Sequence, residues 1–332
     1  MKHARWLIAA VLPLAAQPLW AQPKLLINAK LDTRSGAAGL EQEFRSLVNA
    51  LPQPAWIGYS VPSTRTGLGC DYVRDGWNQP GVIHLEPPDH AVILFRVDGN
   101  AVERIRTLSP DCEIDAGNVT VHWLTDVKPA ESVALLNSFA TQRERYGDGA
   151  LSAIGAHADP AADAALQRFL ATDQPESLRL RTVSFFGSAR GRRGFEVLKS
   201  LIANDPSERV RERAITSLSN SKEPEALELL IATARKDANS RLRMQALSSL
   251  NRKGGARVVN TFKEAIESDP DPQVKRRAVG ALQNMPDGEG IPLLIQLVKT
   301  TKDPEVRKQA MNSLQQSRDM RALAFFEEVL KR

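Results

Sequence analysis

Apolar residues recur along the second half of this chain at a fixed step of 32 positions. One column runs Leu178, Val210, Leu242, Val274 and Val306. Thr182, Ala214, Ala246, Ala278 and Ala310 stand four residues beyond it. Val183, Ile215, Leu247, Val279 and Met311 stand five beyond, and Phe186, Leu218, Leu250, Leu282 and Leu314 eight beyond. These offsets lie on one face of an α-helix. A second set starts at Phe195, Leu227, Val259, Ile291 and Leu323. Leu198, Leu230, Phe262, Leu294 and Phe326 follow three residues on, and Ile202, Ala234, Ile266, Val298 and Leu330 seven on, which predicts a second helix per copy. Five copies in register predict an α-solenoid of stacked helix pairs. One step back, Ile154 aligns with Phe186, Leu166 with Leu198 and Leu170 with Ile202, so a degenerate copy covers about 147–172. End repeats of a stack are often atypical. The array therefore holds about five to six pairs over 147–332.

The pattern changes upstream. Leu40, Phe44, Leu47, Val48 and Leu51 have helical spacing and predict a helix over 36–51, stopped by Pro52 and Pro54. Residues 56–61, 90–97, 101–108 and 119–124 read as strands. The turn Asp98-Gly99-Asn100 joins two of them, because Gly and Asn tolerate the positive φ of a tight hairpin. Residues 22–30 read as a lead-in and 62–81 as long loops. Together 22–128 predict a small α+β or mainly β domain. Pro129 opens a junction helix predicted over 129–146.

Composition and charge refine this reading. Residues 1–21 have a basic start, an apolar run and a small residue last, which predicts a cleavable signal peptide and a periplasmic or secreted protein. No stable membrane insertion is expected once it is removed. Cys70 and Cys112 are the two cysteines. In an oxidising compartment such a pair most often forms a disulfide. Two free thiols or half of a metal site are the alternatives, and the second lacks His or Cys at ligand spacing. Residues 22–146 carry a net charge of −3 and 147–332 a net of +6, too mild to call for a nucleic-acid partner.

Two charged columns share the step. Arg179, Arg211, Arg243, Lys275 and Arg307 follow the first apolar column by one residue. Asp173, Asp205, Asp237 and Asp269 lie six residues before their cations, and Thr301 breaks the series with Asp303 two residues later. Identical groups at every level suit a ladder that fixes turn and stacking register, whereas an active site needs one unlike cluster.

The pattern Asp-Pro-x-x-x-Val-Arg-x-x-Ala-x-x-x-Leu at 205–218 resembles a HEAT repeat. Its short period resembles the HEAT-like subtype first noted in phycobilisome lyases. The resemblance implies a right-handed superhelix with the second helices on its concave side, and an interrepeat ladder made by the Asp and Arg columns. The leading domain resembles, more weakly, that of exported bacterial HEAT proteins of unknown function. Fold does not carry lyase activity across.

Sequence motifs for nucleotide, serine-hydrolase or zinc-protease chemistry do not occur, and no catalytic residue, metal or cofactor is expected. His84 and His90 share a segment without a third ligand. Asp111, Glu113 and Asp115 form an acidic loop, read as a solvated turn with a hard cation as the alternative. Along the second helices the column Lys199, Ile231, Lys263, Ile295, Glu327 and the next, Ala203, Arg235, Glu267, Lys299, Lys331, mix signs and types, so no phosphate track forms. Apolar residues flanked by charges suit a protein contact, which points to Ile231, Lys263, Ile295 and Lys299. The expected function is an exported, non-enzymatic scaffold that binds another protein on this face. The alternative is a HEAT-like lyase or other ligand-handling enzyme with a site between the two domains.

Overall fold

A computed structural model describes residues 25–50, 54–64, 68–70, 89–142 and 146–331. Residues 1–21, predicted as a signal peptide, and His84 lie outside the described residues. The chain divides into two compact units, Met1–Leu135 and Leu136–Arg332.

The first unit is α+β. Its elements are β1 (Leu25–Ile27), β2 (Lys30–Ser35), α1 (Leu40–Ala50), β3 (Ala55–Pro62), β4 (His90–Asp98), β5 (Ala101–Leu108), β6 (Glu113–Asp115), β7 (Thr120–Thr125) and the start of α2 (Pro129–Ala140). Five strands form a sheet in the order β2-β7-β3-β4-β5, and β1 pairs with β6 apart from it. The pairings β2–β7 and β7–β3 are parallel, while β3–β4 and β4–β5 are antiparallel. The predicted hairpin is present: Asp98 pairs with Ala101, and Gly99 and Asn100 turn the chain at φ of 57° and 58°. Both central residues at positive φ make the turn whose twist matches that of the strands.

One sheet face buries Val92, Leu94, Leu108, Cys112 and Trp123, with Trp56, Cys70 and Ile114 packed against them. Gly58 makes room for this cluster, since a Cβ there would lie 2.5 Å from Leu94 Cδ2 and 2.9 Å from the Trp123 ring. The Cys70–Cys112 disulfide ties a loop to the same cluster. On the opposite face Phe44 of α1 meets Phe95 edge-on at 4.8 Å, and the Ser132 and buried Tyr59 hydroxyls share a 2.8 Å hydrogen bond.

Strand β2 falls where the hydropathy pattern predicts only the end of a lead-in and unassigned chain. It is an edge strand carrying Lys30, Asp32 and Arg34 with little apolar alternation. Charge protects an open edge from pairing with another chain, and it also removes the period that betrays a strand.

The described residues of the second unit form six helix pairs. They are α3 (Gly147–Ala156) with α4 (Pro160–Phe169), then α5 (Glu176–Val183) and α6 (Phe185–Ser188) with α7 (Gly191–Asn204). Next come α8 (Glu208–Leu218) with α9 (Pro224–Lys236), and α10 (Ser240–Leu250) with α11 (Ala256–Ser268). The last are α12 (Pro272–Leu282) with α13 (Ile291–Thr300), and α14 (Pro304–Gln316) with α15 (Met320–Leu330). Helix α2 closes at Ala140, short of the predicted 146, and α3 begins at Gly147.

The first-helix columns are core except at Met311, which is half-buried: Thr182, Ala214, Ala246, Ala278 and Ala310 are each 0% exposed. The second helices differ in detail from the pattern. Ala226, Val258 and Ala322 are buried, in a column completed by Gly194 and Gly290. A Cβ on Gly194 would sit 2.2 Å from Phe186 O, and one on Gly290 2.1 Å from Leu282 O, so the two helices of these pairs cross at backbone contact. Leu323 and Leu330 belong to the predicted core columns but are 50% and 86% exposed on α15. Of their counterparts in earlier copies, Phe195, Ile291, Ile202, Ala234 and Ile266 are buried and Leu227, Val259 and Val298 half-buried, and α15 is the last described helix.

Candidate protein-binding surface

The cation column joins each repeat to its neighbours. Arg179 Nε donates to Leu170 O at 3.1 Å, and its guanidinium pairs with Asp205, 26 residues on. Arg211 repeats the arrangement with Ile202 O at 2.8 Å and Asp237 at 3.2 Å. Arg243 meets both Asp269 oxygens at 2.8 Å and also donates to Asp237 O at 2.8 Å. The hydrogen bonds Arg243 donates to Asp269 hold its pKa above the ordinary value. Each of these three arginines thus reaches forward to the next copy's carboxylate and back to backbone carbonyls at the end of the preceding second helix. A fork of donors suits this double task.

The ladder is shorter than the columns predict. Asp173 forms no rung, because the position 26 residues before it is Gly147. Lys275 forms none, because the position 26 residues after it is Thr301. Arg307 gives its guanidinium to Thr301 O instead.

The Asp column has a second role that explains the Thr. Asp205, Asp237 and Asp269 each accept the backbone N–H two residues on, at 2.9 Å. Thr301 Oγ1 does the same for Asp303 at 3.3 Å, so the turn survives where the charge is lost. Asp303 is not a displaced ladder carboxylate. It is the N-cap of α14, in a column with Ser207, Asn239 and Asp271, each of which accepts an N–H of the helix it opens. This column also steps by 32, and its Ser/Asn/Asp/Asp content is the signal that could have revealed it.

Outside the ladder, further pairs stitch neighbouring repeats. Glu176 accepts from Arg209 at 2.9 Å and Ser207 at 3.0 Å, and Glu208 accepts from Arg241 at 2.8 Å and Asn239 at 2.6 Å. Hydrogen bonds from Asn239 and Arg241 keep the Glu208 carboxyl below its usual range. On the second helices Arg257 pairs with Glu228, Arg235 with Glu264 at 2.7 Å and Lys299 with Glu328 at 3.4 Å.

One unlike cluster stands at the first two pairs. Buried Arg190 donates to the carbonyls of His157 at 2.8 Å, Ile154 at 3.2 Å and Gly155 at 3.3 Å. Its Nε lies 3.2 Å from Asp163, which also takes Arg193 at 2.9 Å. The imidazole of His157 is fully buried, with Nδ1 2.7 Å from Ala153 O, and burial pulls its pKa down to about 4. Arg190 satisfies the open carbonyl end of α3, a capping task. It lies in a segment that turn composition alone describes as a loop.

The four tentative contact residues do not form an open patch. Ile231 is 4% exposed and belongs to the core with Leu230 and Ala234, so it is not a surface residue. The apolar face of α9 is wider than the stripe its spacing suggests. Ile295 is half-buried. Lys263 lies 4.0 Å from Glu267, and Lys299, besides its Glu328 pair, stands 5.5 Å from the Phe325 ring centroid.

In the first unit His122 and Asp32 face each other in the β2–β7 register, with Nδ1 2.8 Å from Oδ2. Hydrogen bonds from His122 and then from Arg34 lower the Asp32 pKa. Asp115 of the acidic loop accepts from Gly117 N at 2.8 Å and Asn28 at 3.2 Å. Among the described residues no group of three His, Cys, Asp or Glu side chains is arranged to hold a metal ion, and no helix is long and apolar enough to cross a membrane.

The family model of HEAT repeats matches residues 177–251 and 259–332. No curated protein matches the chain. Among solved structures, the complex of CpcE and CpcF of phycocyanin lyase from Nostoc sp. PCC7120 is similar at 20% identity and a TM-score of 0.35, over 45% of this chain and 97% of that one. Human deoxyhypusine hydroxylase in complex with glycerol is similar at 14% identity and a TM-score of 0.27, over 60% of this chain and 90% of that one. The matched repeats, their buried columns and their ladder together make residues 177–332 an array of HEAT repeats.

Proposed function

We propose that this chain is an exported, non-enzymatic scaffold that binds another protein along its HEAT array. One observation carries the reading: the array's polar chemistry is periodic. Its carboxylates and cations are used pairwise between repeats, as in Arg211–Asp237 and Arg243–Asp269, and the one unlike buried cluster, around Arg190, caps a helix end. What differs from copy to copy is the exposed surface, where selectivity for a partner resides. A solenoid offers a long surface of this kind without a catalytic centre.

Export is tested by fractionation, with the mature chain expected outside the cytoplasm and lacking residues 1–21. Binding is tested by placing photo-crosslinking residues at exposed array positions of the full chain, then capturing partners from a periplasmic extract. A recurrent protein adduct from array positions supports the scaffold reading. Adducts only from positions before 136 would refute it.

A further inference from the structure

The excess positive charge of the array lies on the first helices. Helices α8, α10, α12 and α14 carry ten basic and three acidic side chains. Helices α9, α11, α13 and α15 carry six of each. Neither α10 nor α12 contains a carboxylate, so the excess peaks at Lys275, Arg276 and Arg277. Several other surface arginines are matched by carboxylates: Arg181 by Asp148, Arg209 by Glu176, Arg241 by Glu208, Arg257 by Glu228. Arg276 has no hydrogen-bond or ion-pair partner among the described residues. Arg277 spends only its Nε, on Ser248 Oγ at 2.6 Å.

These two arginines line a cleft of about 470 Å³ between α10, α12 and α14, whose other polar walls are Asn251, Gln273, Asn284 and Gln309. No carboxylate lines it. Gly280 keeps it open, since the corresponding positions one and two copies back are Ser248 and Thr216, and a Cβ on Gly280 would meet only Gln309 at 3.7 Å. The Asn251 amide oxygen is buried at the cleft and accepts no hydrogen bond.

We propose that this cleft docks an acidic, extended segment of a partner protein, a proposal that rests on the scaffold reading above. The guanidinium groups of Arg276 and Arg277 take the segment's carboxylates. The amides supply what a peptide backbone needs, a donor and an acceptor side by side. That second requirement selects peptide over phosphate. A phosphodiester only accepts hydrogen bonds, so it leaves the Asn251 oxygen unmet.

The test measures fluorescence anisotropy of a labelled peptide of alternating Glu and Ser against the full chain. Wild type is expected to bind it and to weaken as salt rises. Arg276→Glu/Arg277→Glu is expected to lower affinity at least about tenfold, a loss on the order of 1.4 kcal/mol. Lys263→Glu on the second-helix face is expected to leave it unchanged. If the reversal variant unfolds by circular dichroism, Arg276→Gln/Arg277→Gln replaces it with the same expectation. Equal loss in Lys263→Glu, no loss in either arginine variant, or tighter binding of heparin, single-stranded DNA or anionic vesicles than of the peptide would overturn the proposal. Array crosslinks to a partner that survive the arginine substitutions would leave the scaffold reading standing and remove this cleft from it.

Discussion

The two units of this chain are held together by opposite strategies. In the sheet unit every key contact occurs once: Gly58 beneath Trp123, Ser132 on Tyr59, Cys70 bonded to Cys112. In the array the same contacts recur from copy to copy, and Arg179, Arg211 and Arg243 each take an electrostatic partner from the next copy. A single-use contact has no internal comparison, so its loss falls on one local fold. A repeated contact makes each departure from the series visible, as at Gly147 and Thr301, and its loss is felt at the junction of two repeats.

The largest effect that separates the two strategies concerns the disulfide. Reducing Cys70–Cys112, or Cys70→Ala/Cys112→Ala, frees a chain segment closed over a sequence separation of 42 residues. The chain-entropy relation puts the loss at about 4 kcal/mol. Differential scanning calorimetry should show the sheet unit's transition fall while the array's stays in place. A common drop of both transitions would break the comparison.

The second effect tests the ladder. Asp269→Ala leaves Arg243 with its side chain 9% exposed and without a carboxylate. Removing one partner of a buried pair typically costs 3–5 kcal/mol. The carbonyls of Asp237 and Ala238 still receive Arg243, which places the expected loss near the lower end, about 3 kcal/mol, measured by urea unfolding. A change within experimental scatter would show that the rungs set register without adding stability.

The third is a pH effect confined to the array. His157 is neutral in the folded protein down to about pH 4, whereas its ordinary value is 6.5. As pH falls below 6.5 the unfolded chain takes up the proton first, so this residue's contribution is complete above 6.5 and is lost between there and 4. The slope approaches about 1.4 kcal/mol per pH unit. The difference in stability between wild type and His157→Gln should show that slope, and an equal pH dependence in both would contradict it.

The smallest prediction restores a rung. Thr301→Asp places a carboxylate 26 residues after Lys275, the spacing of the other rungs, and retains the turn acceptor for Asp303. Lys275 and position 301 are half-buried, so the gain is at most about 1 kcal/mol. A loss of stability would mean that Thr301 is there for packing.

The array was legible because repetition averages out individual residues. A column of five identical types at one step speaks for a buried or paired position whatever each residue would say alone. The same averaging hid positions where small or interchangeable groups do the work. The Gly194/Ala226/Val258/Gly290/Ala322 column carries no single hydropathy, and the N-cap column alternates Ser, Asn and Asp. The spacing pattern puts Ile231 on the surface because a stripe of three- and four-residue spacing is narrower than the face a helix buries between two neighbours. The excess charge of the first helices does not show in the array's net of +6, because α9, α11, α13 and α15 carry equal numbers of each sign. In the sheet unit the hairpin was readable from its turn residues, while β2 was not, since its charges follow from its place at an edge and not from a period of two.

The central claim is that partners bind the array through surfaces that vary between copies. Site-specific photo-crosslinking in the full chain, with one probe at Gln273 on the first-helix face, one at Lys263 on the second-helix face and one at Glu103 on β5, compares both faces and both units directly. The account predicts a partner adduct at Gln273 that weakens with rising salt and is lost in Arg276→Glu/Arg277→Glu. An adduct formed only from Glu103, indifferent to every array substitution, would contradict it.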